Sequence, residues 1–235
     1  MSSIKLGSDL RDWSIDIETM DTKFSAAVLS IGAVQFNRDT GQLGIEFYKE
    51  VTIDSAVRAG TVSGSTVTWG IRTEAWLDLF RETSEKVPLV TALDELAALI
   101  RSKTIGPRVW GNGASFDITI LEHAYVNGTV SLAIPWSYQN IRDMRTTVDD
   151  AGLELHSIPS VGAAHNALAD AKFQAVAISL ARRRIRRALG ENLPPWAGPN
   201  ESRSFDSPLK FQKGSPPGKA ATTPVPAVED DDDEL

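Results

Sequence analysis

The 235-residue chain contains no cysteine. That excludes disulfides, thiolate metal sites and cysteine nucleophiles. It has no apolar run long enough to span a bilayer. Its opening, Met1-Ser2-Ser3-Ile4-Lys5, lacks the charged and apolar regions of a signal peptide, so a cytoplasmic location is the expectation. A surplus of positive charge is lacking too: 24 Lys and Arg stand against 31 Asp and Glu, a net charge of −7. Most of that imbalance sits at one end. Residues 191–235 hold 9 acids and 4 bases, whereas residues 1–190 hold 22 and 20. A near-neutral body does not fit a protein that coats a polyanion by charge alone. No internal repeat is present.

What is present is a pattern that changes part-way along. Residues 13–18 alternate, with Trp13, Ile15 and Ile17 on one face, which is strand patterning. Residues 26–36 read as a second, largely buried strand. Asp39-Thr40-Gly41 lies in a turn signal over 37–42, and 44–53 reads as a third strand. Three strands with short links predict an antiparallel meander. Helices are then expected at 73–82 and 89–101, the second with Leu93, Leu96, Ala97 and Ile100 at helical spacing. A short strand at 107–110 leads into Gly111-Asn112-Gly113 and a helix at 115–126. A strand at 134–139 and a helix at 141–151 follow. The last element, about 164–189, is an Ala-rich helix stopped by Gly190 and Pro194-Pro195. This order predicts an α/β domain with a mixed sheet over residues 1–190. Residues 191–235, rich in Pro, Gly and Ser and ending in an acidic run, are expected to form a disordered tail.

Candidate chemistry lies in a few acids. Asp16 and Glu18 are two apart on the first expected strand, so their side chains share a face. Two adjacent carboxylates raise each other's pKa unless a cation neutralises them, and hard divalent cations prefer carboxylate oxygens. A polar strand face is the equal alternative. Asp117 falls in the first turn of a helix that Ser115 is placed to cap, where the dipole alone favours an acid. Asp170 sits early in the last helix among Ala167, Ala169 and Ala171, small residues that let a helix lie close to a sheet. A solvent-facing acid is the plainer reading of it. His165 marks the entry to that helix, and its ordinary pKa suits it to collect a proton near neutrality. No role is assigned to His123 or His156.

Taken together, these residues resemble the DEDD exonuclease superfamily and its ribonuclease-H-like, or DnaQ-like, fold. The first motif looks like Asp16-Ile17-Glu18-Thr19 and the second like Asn112-Gly113-Ala114-Ser115-Phe116-Asp117. The third looks like His165-Asn166-Ala167-Leu168-Ala169-Asp170, and its His-to-Asp spacing resembles the DEDDh branch. The motifs come in the family's order over roughly residues 10–190. Thr66-Val67-Thr68-Trp69 and Arg142-Asp143-Met144-Arg145-Thr146 look like the narrower ribonuclease AS-like group, which includes phage exonucleases of the exonuclease A type. Two departures are visible. Thr19-Met20-Asp21 lacks the Gly that many members carry after the first-motif Glu, and Trp69-Gly70 stands where paired aromatics are frequent.

The resemblance implies a 3′–5′ exonuclease in which Asp16, Glu18, Asp117 and Asp170 hold two Mg²⁺ or Mn²⁺ ions and His165 is the general base. It implies that Thr19 and Met20 contact the terminal nucleotide. Trp69 is expected either to stack on a base or to pack in the core. The implied partner is the 3′ end of DNA or RNA, with single-stranded DNA slightly favoured. The location would be a host cytoplasm if the chain is phage-encoded. A non-catalytic binding module on the same fold is the competing expectation, and the family allows a homodimer. Arg182, Arg183, Arg184, Arg186 and Arg187 read first as a solvated helix end and second as a phosphate patch. The acidic tail reads first as solubilising, and second either as a mimic of nucleic acid that competes for that patch or as bait for a basic partner.

Overall fold

The computed structural model describes residues 10–73, 76–80, 85–128, 132–158 and 165–199. Strand β1 (Asp12–Thr19) buries Trp13, Ile15 and Ile17 on one face. Its other face carries Asp12, Ser14, Asp16 and Glu18, so the period of two divides core from chemistry. Strands β2 (Val28–Phe36) and β3 (Leu43–Val51) complete an antiparallel meander. The expected mixed sheet is present, and it has six strands. β4 (Lys86–Val87), β5 (Arg108–Gly111) and β6 (Ile141–Asp143) give the order β4-β3-β2-β1-β5-β6. β5 and β6 run parallel to β1, which therefore sits centrally, with antiparallel β2 on its other side. At the start of β1, buried Asp12 accepts from Arg108 Nη2 at 2.6 Å, Arg108 Nε at 2.8 Å and Trp110 Nε1 at 2.8 Å. This fixes β5 against β1.

Helices cover both faces. α1 (Ile53–Ala59), α2 (Gly64–Arg72) and α3 (Leu77–Phe80) precede α4 (Leu89–Lys103) and α5 (Asp117–Asn127). Apolar residues of α4 and α5 join Trp13, Ile15 and Ile17 in one cluster. α6 (Met144–Asp150) and α7 (Ala167–Ala188) pack on the opposite face, where Ala171, Ala175, Ala177 and Ala181 are fully buried. The small side chains bring α7 close to the sheet. The closest approach is at Gly32 of β2, where a Cβ would lie 2.1 Å from the Ala167 carbonyl carbon.

Several expectations are corrected. The strand expected at 134–139 is absent. Pro135 cannot donate to a ladder, Trp136 is buried against Tyr125, and the strand begins at Ile141 after a 3₁₀ turn at Tyr138–Asn140. Of the helix expected at 73–82, the described residues contain only Leu77–Phe80. α1 and α2 were not anticipated. α1 buries only Ala56, and six of the nine residues of α2 are Gly, Ser, Thr or Val, poor helix formers. The helix expected from Ser115 starts at Asp117, with Phe116 as its cap and no side-chain capping bond.

Packing also continues past the expected boundary at Gly190. Arg183 Nη1 donates to the carbonyls of Asp39 and Pro194, each at 2.8 Å, and its guanidinium lies 5.7 Å from the Trp196 ring centre. The Trp196 ring covers Gly41, which has φ +75° and no room for a Cβ. Residues 200–235, including the acidic run, lie outside the described residues. No helix among the described residues is long and apolar enough to cross a membrane.

Candidate active site

Three separate stretches of chain meet at the C-terminal half of β1. Asp16 and Glu18 point from the strand toward α7. Asp117 opens α5 at the end of the β5–α5 loop, and Asp170 projects from the first turn of α7. A cavity of about 550 Å³ is lined by Asp16, Asp117, His165, Asp170, Trp69 and Gln174 among others. Glu18, His165 and Asp170 each offer a ligand atom within 4.8 Å of the others.

The electrostatics follow from the crowding. Burial, followed by repulsion from Asp117, Glu18 and Asp170, pushes Asp16 well above the usual carboxylate range. Burial and the charge of Asp170 raise Glu18 to about 8. Burial lifts Asp117 to about 6 against the opposing pull of backbone amides at Gly113, Asn112 and Ile17. Asp170 is also raised by burial, although the charge and backbone N–H of His165 draw it down. Four acids that resist ionising together form a hole for positive charge. Their oxygen donors suit a hard divalent cation.

A match to a family model covers residues 11–181, described as the 3′-5′ exoribonuclease Rv2179c-like domain. The chain belongs to that family. It is a 3′–5′ exonuclease with the ribonuclease-H-like fold its sequence predicts. The Mg²⁺- and Mn²⁺-bound form of Pop2p from S. pombe is similar in fold, at 12% identity and TM-score 0.50, over 74% of this chain and 83% of that one. The nuclease domain of 3′hExo, a DEDDh family member bound to rAMP, matches at 13% identity and TM-score 0.44, over 79% and 96%. No curated protein matches the chain by sequence.

Within this Rv2179c-like domain, Asp16 is positioned by a partner that sequence reading did not single out. Gln174, one turn beyond Asp170 on α7, donates from Nε2 to Asp16 Oδ1 at 2.6 Å. Ser14 Oγ lies 3.4 Å from Gln174 Oε1 and donates to it. The i, i+4 spacing of Asp170 and Gln174 was the available signal, because it puts both on one helix face. Asn166 caps α7, accepting from Ala169 N at 3.1 Å, and His165 immediately before it has φ +60°. Asp143 caps α6 through Thr146 N and also accepts from Ala114 N at 2.7 Å. It thereby ties the loop before Asp117 to the sheet's far edge.

Trp69 is half-exposed and meets His165 edge to face, with ring centres 5.3 Å apart. Behind it lies Trp76, also edge to face at 6.3 Å. Trp76 is buried and its indole N–H draws Glu18 down, although the pair is not aligned as a regular hydrogen bond. The other two expected substrate contacts are turned inward. Thr19 Oγ1 donates to the Asp21 carbonyl at 2.8 Å, and Met20 is buried with its N–H on the Ala27 carbonyl.

The Arg run is largely structural. Arg183 is buried, and Arg186 pairs with Asp39 at 2.8 Å and Glu191 at 2.6 Å. This leaves the phosphate-patch reading with fewer cations than the sequence suggested.

Proposed function

We propose that the cavity between β1, α5 and α7 is the hydrolytic centre, releasing nucleotides from the 3′ end of single-stranded nucleic acid. Family membership supports RNA as the first substrate. The sequence-based tilt toward single-stranded DNA is retained as the second. The observation that carries the proposal is the convergence of Asp16, Asp117 and Asp170 on one open cavity, with Glu18 within ligand reach of Asp170 and all four acids raised in pKa. Such a set is costly to keep without a cation.

Asp16, Glu18, Asp117 and Asp170 would hold two divalent ions, Mg²⁺ or Mn²⁺. Bound there, such ions supply Lewis acidity toward a water and the scissile phosphate. Gln174 fixes the rotamer of Asp16, and the Asn112–Phe116 loop fixes Asp117. His165, at the cavity mouth, takes the proton of the attacking water. Its backbone conformation and its contact with Trp69 orient the ring. The edge-to-face contact also supports Trp69 as a wall of the terminal-nucleotide site, within reach of a base.

The test uses 5′-labelled RNA and DNA oligonucleotides of one sequence with Mg²⁺, Mn²⁺ or chelator. A metal-dependent ladder shortening from the 3′ end, lost in Asp16→Ala, is the expected result. Cleavage that persists in chelator, or in Asp16→Ala, would overturn it. Binding without cleavage would restore the non-catalytic module.

A further inference from the structure

A second cavity of about 670 Å³ lies beside the first and shares Arg145 and Leu155 with it. Its other polar lining comes from Thr146, Asp149, Glu154 and His156. Arg145 stands at the junction. Its Nε donates to Asn112 Oδ1 at 3.3 Å and its backbone N–H to the Asn112 carbonyl at 3.3 Å. The guanidinium lies over Gly113, where a Cβ would come 3.5 Å from Nη1. Among the described residues neither Nη atom has a hydrogen-bond partner. The side chain is exposed, so its outer edge faces solvent while its inner edge is anchored to the loop that delivers Asp117.

An exonuclease acting on a strand must hold the strand behind the bond it cuts, and that strand repeats a phosphodiester at every residue. Resting on the exonuclease reading above, we infer that the second cavity receives the next nucleotide and that Arg145 binds its phosphodiester. A planar guanidinium fork suits a phosphate, and one anchored by Nε keeps its two Nη groups in register for it. The rest of the lining sharpens this assignment. Asp149 and Glu154 repel phosphate, with His156 3.8 Å from Glu154, so an anion is confined to the Arg145 end. The same carboxylates accept from sugar hydroxyls or base N–H groups. The subsite is thus divided into a phosphate end and a nucleoside end.

The experiment compares full-length wild type with Arg145→Ala and Arg145→Lys on two substrates. One is a labelled oligonucleotide. The other is the p-nitrophenyl ester of thymidine 5′-monophosphate, which has a scissile phosphodiester and no neighbouring one. Arg145→Ala is expected to lose at least ~10-fold more kcat/KM on the oligonucleotide than on the ester, mainly through KM, because a charge-assisted hydrogen bond to phosphate is removed. Arg145→Lys should recover part of the difference. Oligonucleotide binding measured by anisotropy in Ca²⁺ should weaken in Arg145→Ala, with a salt slope shallower by roughly one charge. That reading stands even if no cleavage is found, which separates failure of the subsite from failure of the exonuclease reading. Equal losses on both substrates would mean that Arg145 acts through the Asn112 loop. Unchanged oligonucleotide affinity would mean that no phosphate is held. Either result overturns the inference.

Discussion

Removing metal should make this protein most sensitive to pH where most proteins are least so. Glu18, with a folded pKa of about 8 against 4.5, holds more protons folded than unfolded between those values. Asp117, at about 6 against 3.8, behaves alike over a lower window. The sign follows from linkage: where the folded state binds more protons, stability falls as pH rises. The stabilisation is complete below the unfolded pKa values and is lost as pH climbs through the folded ones. For Glu18 alone the full difference is about 5 kcal/mol, of which about 4 kcal/mol falls between pH 5 and pH 8.5. Halving it for water and salt in an open cavity leaves ~2 kcal/mol. At 2–4 °C per kcal/mol for a domain of this size, Tm in chelator should drop by roughly 4–8 °C between pH 5 and pH 8.5. Calorimetry or thermal shift in EDTA reads this directly. Saturating Mn²⁺ should flatten the curve, and Glu18→Gln should reduce the slope while raising the metal-free Tm at pH 8. A metal-free Tm that is flat or rising over this range would refute the idea that the four acids are an uncompensated cluster.

Other substitutions probe the pieces separately. Gly32→Ala places a Cβ against the Ala167 backbone, where no rotamer gives relief. It should cost ~1–3 kcal/mol or more in denaturant unfolding and most of the activity; wild-type stability would disprove the close contact. His165→Ala should bind metal normally and lose ~10²–10⁴ in kcat; wild-type kcat would remove it as the base. Trp76→Phe keeps the ring stack but deletes the N–H facing Glu18. The smaller ring leaves a cavity that should cost ~1–3 kcal/mol of stability, while the Mn²⁺ concentration for half-maximal activity should rise about 10-fold or more. An unchanged metal titration would make Trp76 a packing residue only.

How far the sequence was legible depended on what each residue had to satisfy. β1 was readable because its two faces have opposite demands, apolar toward α4 and α5 and acidic toward α7. β2 and α4 were readable from dense apolar patterning. Asp117, Asp170 and His165 were ambiguous singly, since a helix start accommodates an acid for dipole reasons alone. Only their order along the chain carried the family likeness. Elements stabilised by tertiary contacts left no local mark. β4 is a two-residue edge piece, and α1 and α2 are short helices that bury a single residue each. Gln174 and Trp76 escaped notice, and Asp143 was quoted without a role, because their roles are relations to residues far along the chain; Asp16 and Gln174 meet across 158 positions. The inward turn of Thr19 and Met20 likewise depends on a loop closing through Ala27 and Ser63.

The seating of α7 on Gly32 has a consequence for how the protein is made. Asp16 and Glu18 come early in the chain, but Asp170 and Gln174 arrive on the helix that completes the sheet's second face, and His165 just before it. A ribosome therefore exposes the first half of the nuclease long before the second. Until α7 leaves the exit tunnel and docks, the proposed cation site and its proposed proton acceptor are incomplete beside the messenger being read. The order of segments thus delays the appearance of nuclease activity until synthesis of the domain is nearly finished.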